Sequence, residues 1–221
     1  MTRILVIADE VDEGLYGEKL KRLRPDLVLS AGDLPFEYLE YIVSRLDLPL
    51  LCVPGNHDRD LSSSDSVWTP LRTERQPRGP QGALNVDGRI IDAAGLRIAG
   101  LGGSHRYRKG PNQYSQGAMR LRALTLEARG RVKRFLDGRA TDILLTHTPP
   151  AGLGDGEDIA HRGFESFPRL VRSLGVRLLV HGHIHPYGAR QADRRLGDTL
   201  VVNARPPRLI EVRGGTRAAG R

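Results

Sequence analysis

The chain has 221 residues, 39% hydrophobic and 27% charged, enough for one domain whose core needs no staples. Its longest apolar runs, such as Ile4–Ala8 and Leu178–Val180, are strand-sized and far short of a membrane span; acids from Asp9 to Glu13 break up any secretory leader, and the lone Cys52 excludes a disulfide framework or thiolate cluster, so a cytoplasmic protein is expected. The net charge of +8 admits an anionic partner such as nucleic acid or a small phosphorylated substrate, but only four of the 34 basic residues are lysine, the arginines are scattered, and Arg72–Arg78 has no interleaved aromatic residue, so the excess reads as a composition bias and nucleic acid is not favoured.

Thr2–Ala8 is a continuous aliphatic and β-branched run, the pattern of a strand buried on both faces. Gly17–Leu23 reads as a helix with Leu20 and Leu23 on one side, and Asp26–Ala31 as a second strand. Phe36–Leu46 places Phe36, Leu39, Ile42, Val43 and Leu46 at the helical period. Leu48–Val53 is a third strand, in which Cys52 is expected to be a buried, inert thiol. This alternation predicts a βαβαβ unit with parallel pairing.

Arg59–Pro80 is polar and reads as a loop or short helix. Ala83–Ile91, Leu96–Leu101, Asp142–Thr146, Val176–Val180, Thr199–Asn203 and Leu209–Val212 are further predicted strands. Gln116–Leu136 is predicted as a long, arginine-rich surface helix with a candidate interruption at Gly130, and Arg162–Leu174 as a helix with a break near Pro168. One domain over residues 1–213 and a frayed tail over 214–221 complete the expected organisation.

The chemistry-bearing residues fall at strand ends. Asp9 follows the first strand, Gly32-Asp33 the second, and Gly55-Asn56-His57-Asp58 the third. His147 ends the strand at Asp142–Thr146, and His181-Gly182-His183-Ile184-His185 ends the one at Val176–Val180. Carboxyl ends of parallel strands share one edge of a sheet, where ligands bind. Carboxylate, carboxamide and imidazole together suit borderline divalent ions such as manganese, iron, zinc or nickel. Two such ions can clamp the attacking and leaving oxygens of a phosphoryl transfer, and Asp33, with a glycine before it, is the natural bridge.

In this order the motifs resemble the calcineurin-like metallophosphoesterase superfamily, whose pattern is D-x-H, G-D, G-N-H-[DE], H and G-H-x-H. The resemblance implies a four-layer α/β/β/α sandwich and hydrolysis of a phosphate mono- or diester by a hydroxide activated at a dinuclear site. It implies that Asp9, Asp33 and His185 serve one metal, and that Asp33, Asn56, His147 and His183 serve the other. Manganese is the favoured ion. His57 would contact the phosphate and protonate the leaving oxygen, and Asp58 would orient it.

One position departs from the pattern: Val11 stands where D-x-H has histidine, and Phe36 stands where purple acid phosphatases have a compensating tyrosine. Glu10, Asp12 or Glu13 either complete the first metal or belong to the start of the following helix, the favoured reading; weaker occupancy of that site is expected. The departure also motivates an alternative, a scaffold that keeps the fold and loses catalysis. Secondary candidates are Asp155, Asp158 and His161 as pocket borders, His105 or Arg106 as phosphate contacts, and His181 as a supporting or core histidine.

Overall fold

The computed structural model describes residues 1–60, 79–185 and 191–214. The N-terminal half runs β1 (Thr2–Ile7), α1 (Glu18–Leu23), β2 (Leu27–Ser30), α2 (Phe36–Leu46), β3 (Leu50–Cys52) and β4 (Ala83–Asn85). It continues through β5 (Ile90–Ala93), β6 (Leu96–Leu101), the short β7 (Ser104–His105) and β8 (Gln113–Tyr114), and the long α3 (Gln116–Asp137). The remainder is β9 (Ile143–Thr146), α4 (Phe167–Leu174), β10 (Leu178–His181), β11 (Arg194–Leu196), β12 (Thr199–Asn203) and β13 (Arg208–Val212).

Two sheets result. The first has the order β13-β1-β2-β3-β4 and the second β11-β12-β10-β9-β6-β5. Strands β1 to β4 pair in parallel, as the βαβαβ pattern predicts, and β13 closes the edge antiparallel to β1. The second sheet has a parallel centre, β6, β9, β10 and β12, with antiparallel β5 and β11 at its edges.

The alternation of strand side chains sorts the core into three apolar layers. Ile4, Val6, Leu27, Leu29 and Leu51 of the first sheet meet Leu96, Ile98, Ile143, Leu145 and Val180 of the second. Their neighbours Leu5, Ile7, Val28 and Leu50 turn the other way and pack under α1 and α2 with Leu20, Tyr38 and Ile42. On the far side Ala99, Leu144 and Leu179 pack under α3 and α4 with Met119, Leu126, Phe167 and Leu170. The layers are therefore helix, sheet, sheet, helix, the predicted sandwich.

Three element expectations need correction. Ala83–Ile91 is not one strand: it divides into β4 and β5 on different sheets, because a turn at Gly88 (φ 67°) carries the chain from one to the other. α3 runs unbroken through Gly130, where the absent side chain makes room for Leu174 of α4. α4 starts at Phe167 with Pro168 in its first turn, where proline is tolerated, so Pro168 opens the helix instead of breaking it. The Arg59–Pro80 segment falls mostly, and the 214–221 tail almost wholly, outside the described residues. No helix among the described residues is long and apolar enough to cross a membrane.

Candidate metal centre

Five parallel strands from the two sheets end at one rim, and the loops beyond them converge. Asp9, Asp33 and His147 each present a donor atom there, all within 4.8 Å of one another. His147 Nε2 lies 3.3 Å from Asp33 Oδ2 and 3.1 Å from Asn56 Oδ1. The His183 ring is centred 4.8 Å from that of His147, and His185 Nε2 is 3.6 Å from Asp9 Oδ1. Asp9, Asp33, Asn56, His183 and His185, with His57, Tyr107, Ala160 and His161, border a cavity of about 380 Å³, behind which His147 is buried.

The loops reach this point through strained backbone. Asp9, Asp33 and His183 hold φ of 63°, 57° and 68°, a left-handed conformation that costs a residue with a side chain on the order of 1 kcal/mol. Cross-loop hydrogen bonds hold them there. The Asp9 amide donates to Gly32 O at 3.0 Å, and the His183 amide donates to both Asp9 carboxylate oxygens at 3.0 and 2.9 Å. The His57 amide donates to Asp33 Oδ1 at 2.8 Å. Asp58 Oδ2 accepts from the Gly55 and Asp33 amides at 2.7 and 2.9 Å, so its carboxylate ties two of the loops together.

The glycines of the motifs follow from this crowding. A Cβ on Gly55 would sit 2.1 Å from Asp33 Oδ1, and one on Gly32 would sit 2.5 Å from the Gly55 nitrogen. A Cβ on Gly182 would sit 2.5 Å from Asp9 Oδ2. Each lies inside atomic contact.

The electrostatics ask for a cation. His147 is fully buried, and its Nδ1 lies 2.7 Å from Ala31 O, which can only accept, so Nδ1 carries the hydrogen. Its Nε2 lone pair then faces two oxygens unless positive charge lies between them. Burial alone would lower the His147 pKa, but the adjacent Asp33 outweighs it and pushes the ring up to about 9. Asp33, which burial alone would raise, is held down to about 2 by His147 and His57. A divalent ion meets the same demand without a proton. His183 Nε2 lies 2.7 Å from Ala160 O, leaving Nδ1 as an acceptor; burial and then His147 lower its pKa to about 3, so it stays neutral, as a ligand must. The residues fit a transition-metal site built from carboxylate, carboxamide and imidazole donors.

The sequence profile of the calcineurin-like phosphoesterases matches residues 2–187. The chain belongs to this family. A curated relative, an uncharacterized protein of Haemophilus influenzae, is 31% identical over 154 residues; the chain spans 60% of that relative's length, and the match takes in 60% of this chain. Among solved structures, TT1561 of Thermus thermophilus superposes with a TM-score of 0.56 at 19% identity, covering 91% of this chain and 88% of that one. A second crystal structure gives 0.57 at 16% identity, with 91% and 90% covered. At these identities the structural likeness concerns the fold.

Within the family's motifs, the structure also places the other predicted residues. Val11 packs toward the apolar cluster beneath α1 and α2. Asp12 accepts from the Gly14 amide at 2.8 Å and pairs with Lys19 at 3.1 Å, opening a short helical turn, while Glu10 pairs with Arg205. Asp12 and Glu13 thus follow the helix-start reading, and Glu10 does not. Phe36 begins α2 and lies under the Arg59 guanidinium at 5.8 Å.

His161 does border the cavity, its ring 5.3 Å from His183 and its Nδ1 2.8 Å from Asp158. Asp155 instead caps the Gly152 and Gly163 amides. His105 leans on Phe164 and Arg106 donates to Gln113 O, and neither borders the cavity. His181 is buried with its Nδ1 2.9 Å from Gly182 O, and burial lowers its pKa to about 4. The residue not singled out in advance is Tyr107, whose hydroxyl accepts from Asn56 Nδ2 at 3.2 Å. Its signal was an aromatic residue in the small-residue turn after β6.

Proposed function

We propose that the chain hydrolyses a phosphate mono- or diester with two divalent transition-metal ions, manganese being the first choice, in a cytoplasmic setting. The observation that carries this reading is the convergence of Asp9, Asp33 and His147 around a buried imidazole that needs positive charge. Asp9, Asp33 and His185 would hold one ion, and Asp33, Asn56, His147 and His183 the other. Such ions supply Lewis acidity that activates water and neutralises charge on the phosphoryl oxygens. His57 is exposed at the cavity with its backbone anchored on Asp33, where its ring can approach a leaving oxygen and give it a proton. Asp58 acts by bracing the Gly55 and Asp33 loops.

The test is hydrolysis of bis-p-nitrophenyl phosphate and p-nitrophenyl phosphate with manganese, comparing wild type with His57→Ala. Cleavage lost by at least about a hundredfold in the variant supports the reading. Absence of cleavage across a broad metal screen removes it and favours the second reading, a scaffold with reduced catalysis, which the inward turn of Val11 and the half-exposed His185 support. Metal content per chain near one instead of two would show the first site to be the weaker.

A further inference from the structure

The helix α3 has two apolar faces. Met119, Ala123, Leu126 and Gly130 pack onto the second sheet. The opposite face carries Leu121, Leu124, Val132, Phe135 and Leu136, which are 68%, 36%, 59%, 89% and 75% exposed. At 100° per residue, these five fall with Gly117, Ala118, Thr125 and Ala128 in one outward sector that contains no charge. An ordinary surface helix puts its polar residues there.

Basic residues flank this sector, Arg120, Arg131 and Arg134 along one side and Arg122, Arg129 and Lys133 along the other. Arg122 and Lys133 pair with Asp87 and Asp92, Arg131 pairs with Glu127 and Arg129 donates to Gly88 O, whereas Arg120 and Arg134 are exposed beside the ridge. The two acids of the helix point elsewhere: Glu127 is buried with its carboxylate 2.7 Å from Arg131, and Asp137 holds Arg97. The ridge spans about 28 Å from Gly117 to Leu136 at 1.5 Å per residue.

We propose that α3 docks the protein onto an anionic lipid surface, with the apolar ridge in the acyl boundary and Arg120 and Arg134 among the headgroups. Arginine and lysine stems reach past buried apolar neighbours to place their charge at that depth. A second copy of the chain fits worse, because packing ridge on ridge would set like-charged edges against one another. The proposal is independent of the phosphoesterase reading. Because α3 is already folded against the sheet, docking needs no helix formation.

The experiment is flotation of the full chain with phosphatidylcholine vesicles, and with vesicles in which about a third of the lipid is phosphatidylglycerol. The wild type is expected to float with the anionic vesicles and stay behind with the neutral ones. Phe135→Ser with Leu136→Ser should weaken partitioning about tenfold or more, as should Arg120→Glu with Arg134→Glu. Lys21→Glu with Arg22→Glu, on α1 in the opposite layer, should leave it unchanged. All these side chains are exposed, so thermal melts should match and expose any misfolded variant.

Failure to float overturns the proposal. So does equal loss from the α1 variant, which would reveal mere attraction by net charge, or full binding by the Phe135 and Leu136 variant. A concentration-dependent dimer abolished by that variant, without vesicle binding, would assign the ridge to a second copy instead.

Discussion

At the scale of single residues, the centre is governed by how closely the loops pass. Gly182→Ala puts a methyl group 2.5 Å from Asp9 Oδ2 and 2.7 Å from Ala8 Cβ. One of the two must move, and Asp9 is the side chain at the rim. The chain is expected to fold, with stability lowered by about 1–3 kcal/mol and manganese content per chain reduced, as plasma emission spectrometry would show. Tyr107→Phe removes only the hydroxyl that accepts from Asn56. A neutral hydrogen bond of this kind contributes about 0.5–1.5 kcal/mol to stability, so the melting temperature should fall by no more than a few degrees, and turnover of an aryl phosphodiester should fall as Asn56 loses its anchor. The ligand candidates were legible because a strand followed at once by Asp, Asn or His is a local pattern. Tyr107 was not, because its partner lies 51 residues away and only folding brings them together.

Among the elements, strands and helices were read from their apolar periods, and the errors fall where a period hides a choice. Alternation runs on through Ala83–Ile91 although the chain changes sheets at Gly88, since residues facing either interior look alike. Gly130 reads as a helix breaker until α4 is seen against it. There a Cβ would lie 2.3 Å from Leu174 Cδ2 and 3.4 Å from Ile90 Cδ1. Gly130→Ala therefore sets a gain in helix propensity of about 1 kcal/mol against overpacking of about 1–3 kcal/mol. Overpacking should win, because Leu174 is itself buried. A drop in the melting temperature of a few degrees is expected, and a rise would show that Leu174 rotates away.

For the molecule as a whole, the titrating groups of the rim give the metal-free protein a stability optimum near neutrality. His147, raised to about 9, contributes stability that is complete below about 6.5 and is lost as the pH climbs through 9. His181 and His183, lowered to about 4 and about 3, act oppositely and destabilise as the pH falls below about 6.5. Asp33, lowered to about 2, contributes above its unfolded value near 4 and fails only in strong acid. Melting temperatures measured with chelator should accordingly peak around pH 6.5. Saturating manganese should flatten the alkaline limb, since the ion replaces the proton on His147; an alkaline limb unaffected by metal would argue against His147 as a ligand. The four-layer arrangement itself was legible through the family resemblance. The parallel centre of the second sheet was not, because strand direction is decided by crossovers such as α4 that the sequence shows only as spacing.

One feature of the rim bears on how the sandwich holds together. Asp9, Asp33 and Asn56 hang from one leaf, whereas His147 and His183 hang from the other. An ion gripped by both sets would be a rivet through the two leaves at their upper margin, while the apolar filling secures the middle. Stripping it should quicken deuterium uptake at the Asp9 and Gly182 amides, which bond across neighbouring loops to Gly32 O and His147 O, and leave uptake at Leu29 and Leu145 as slow as before.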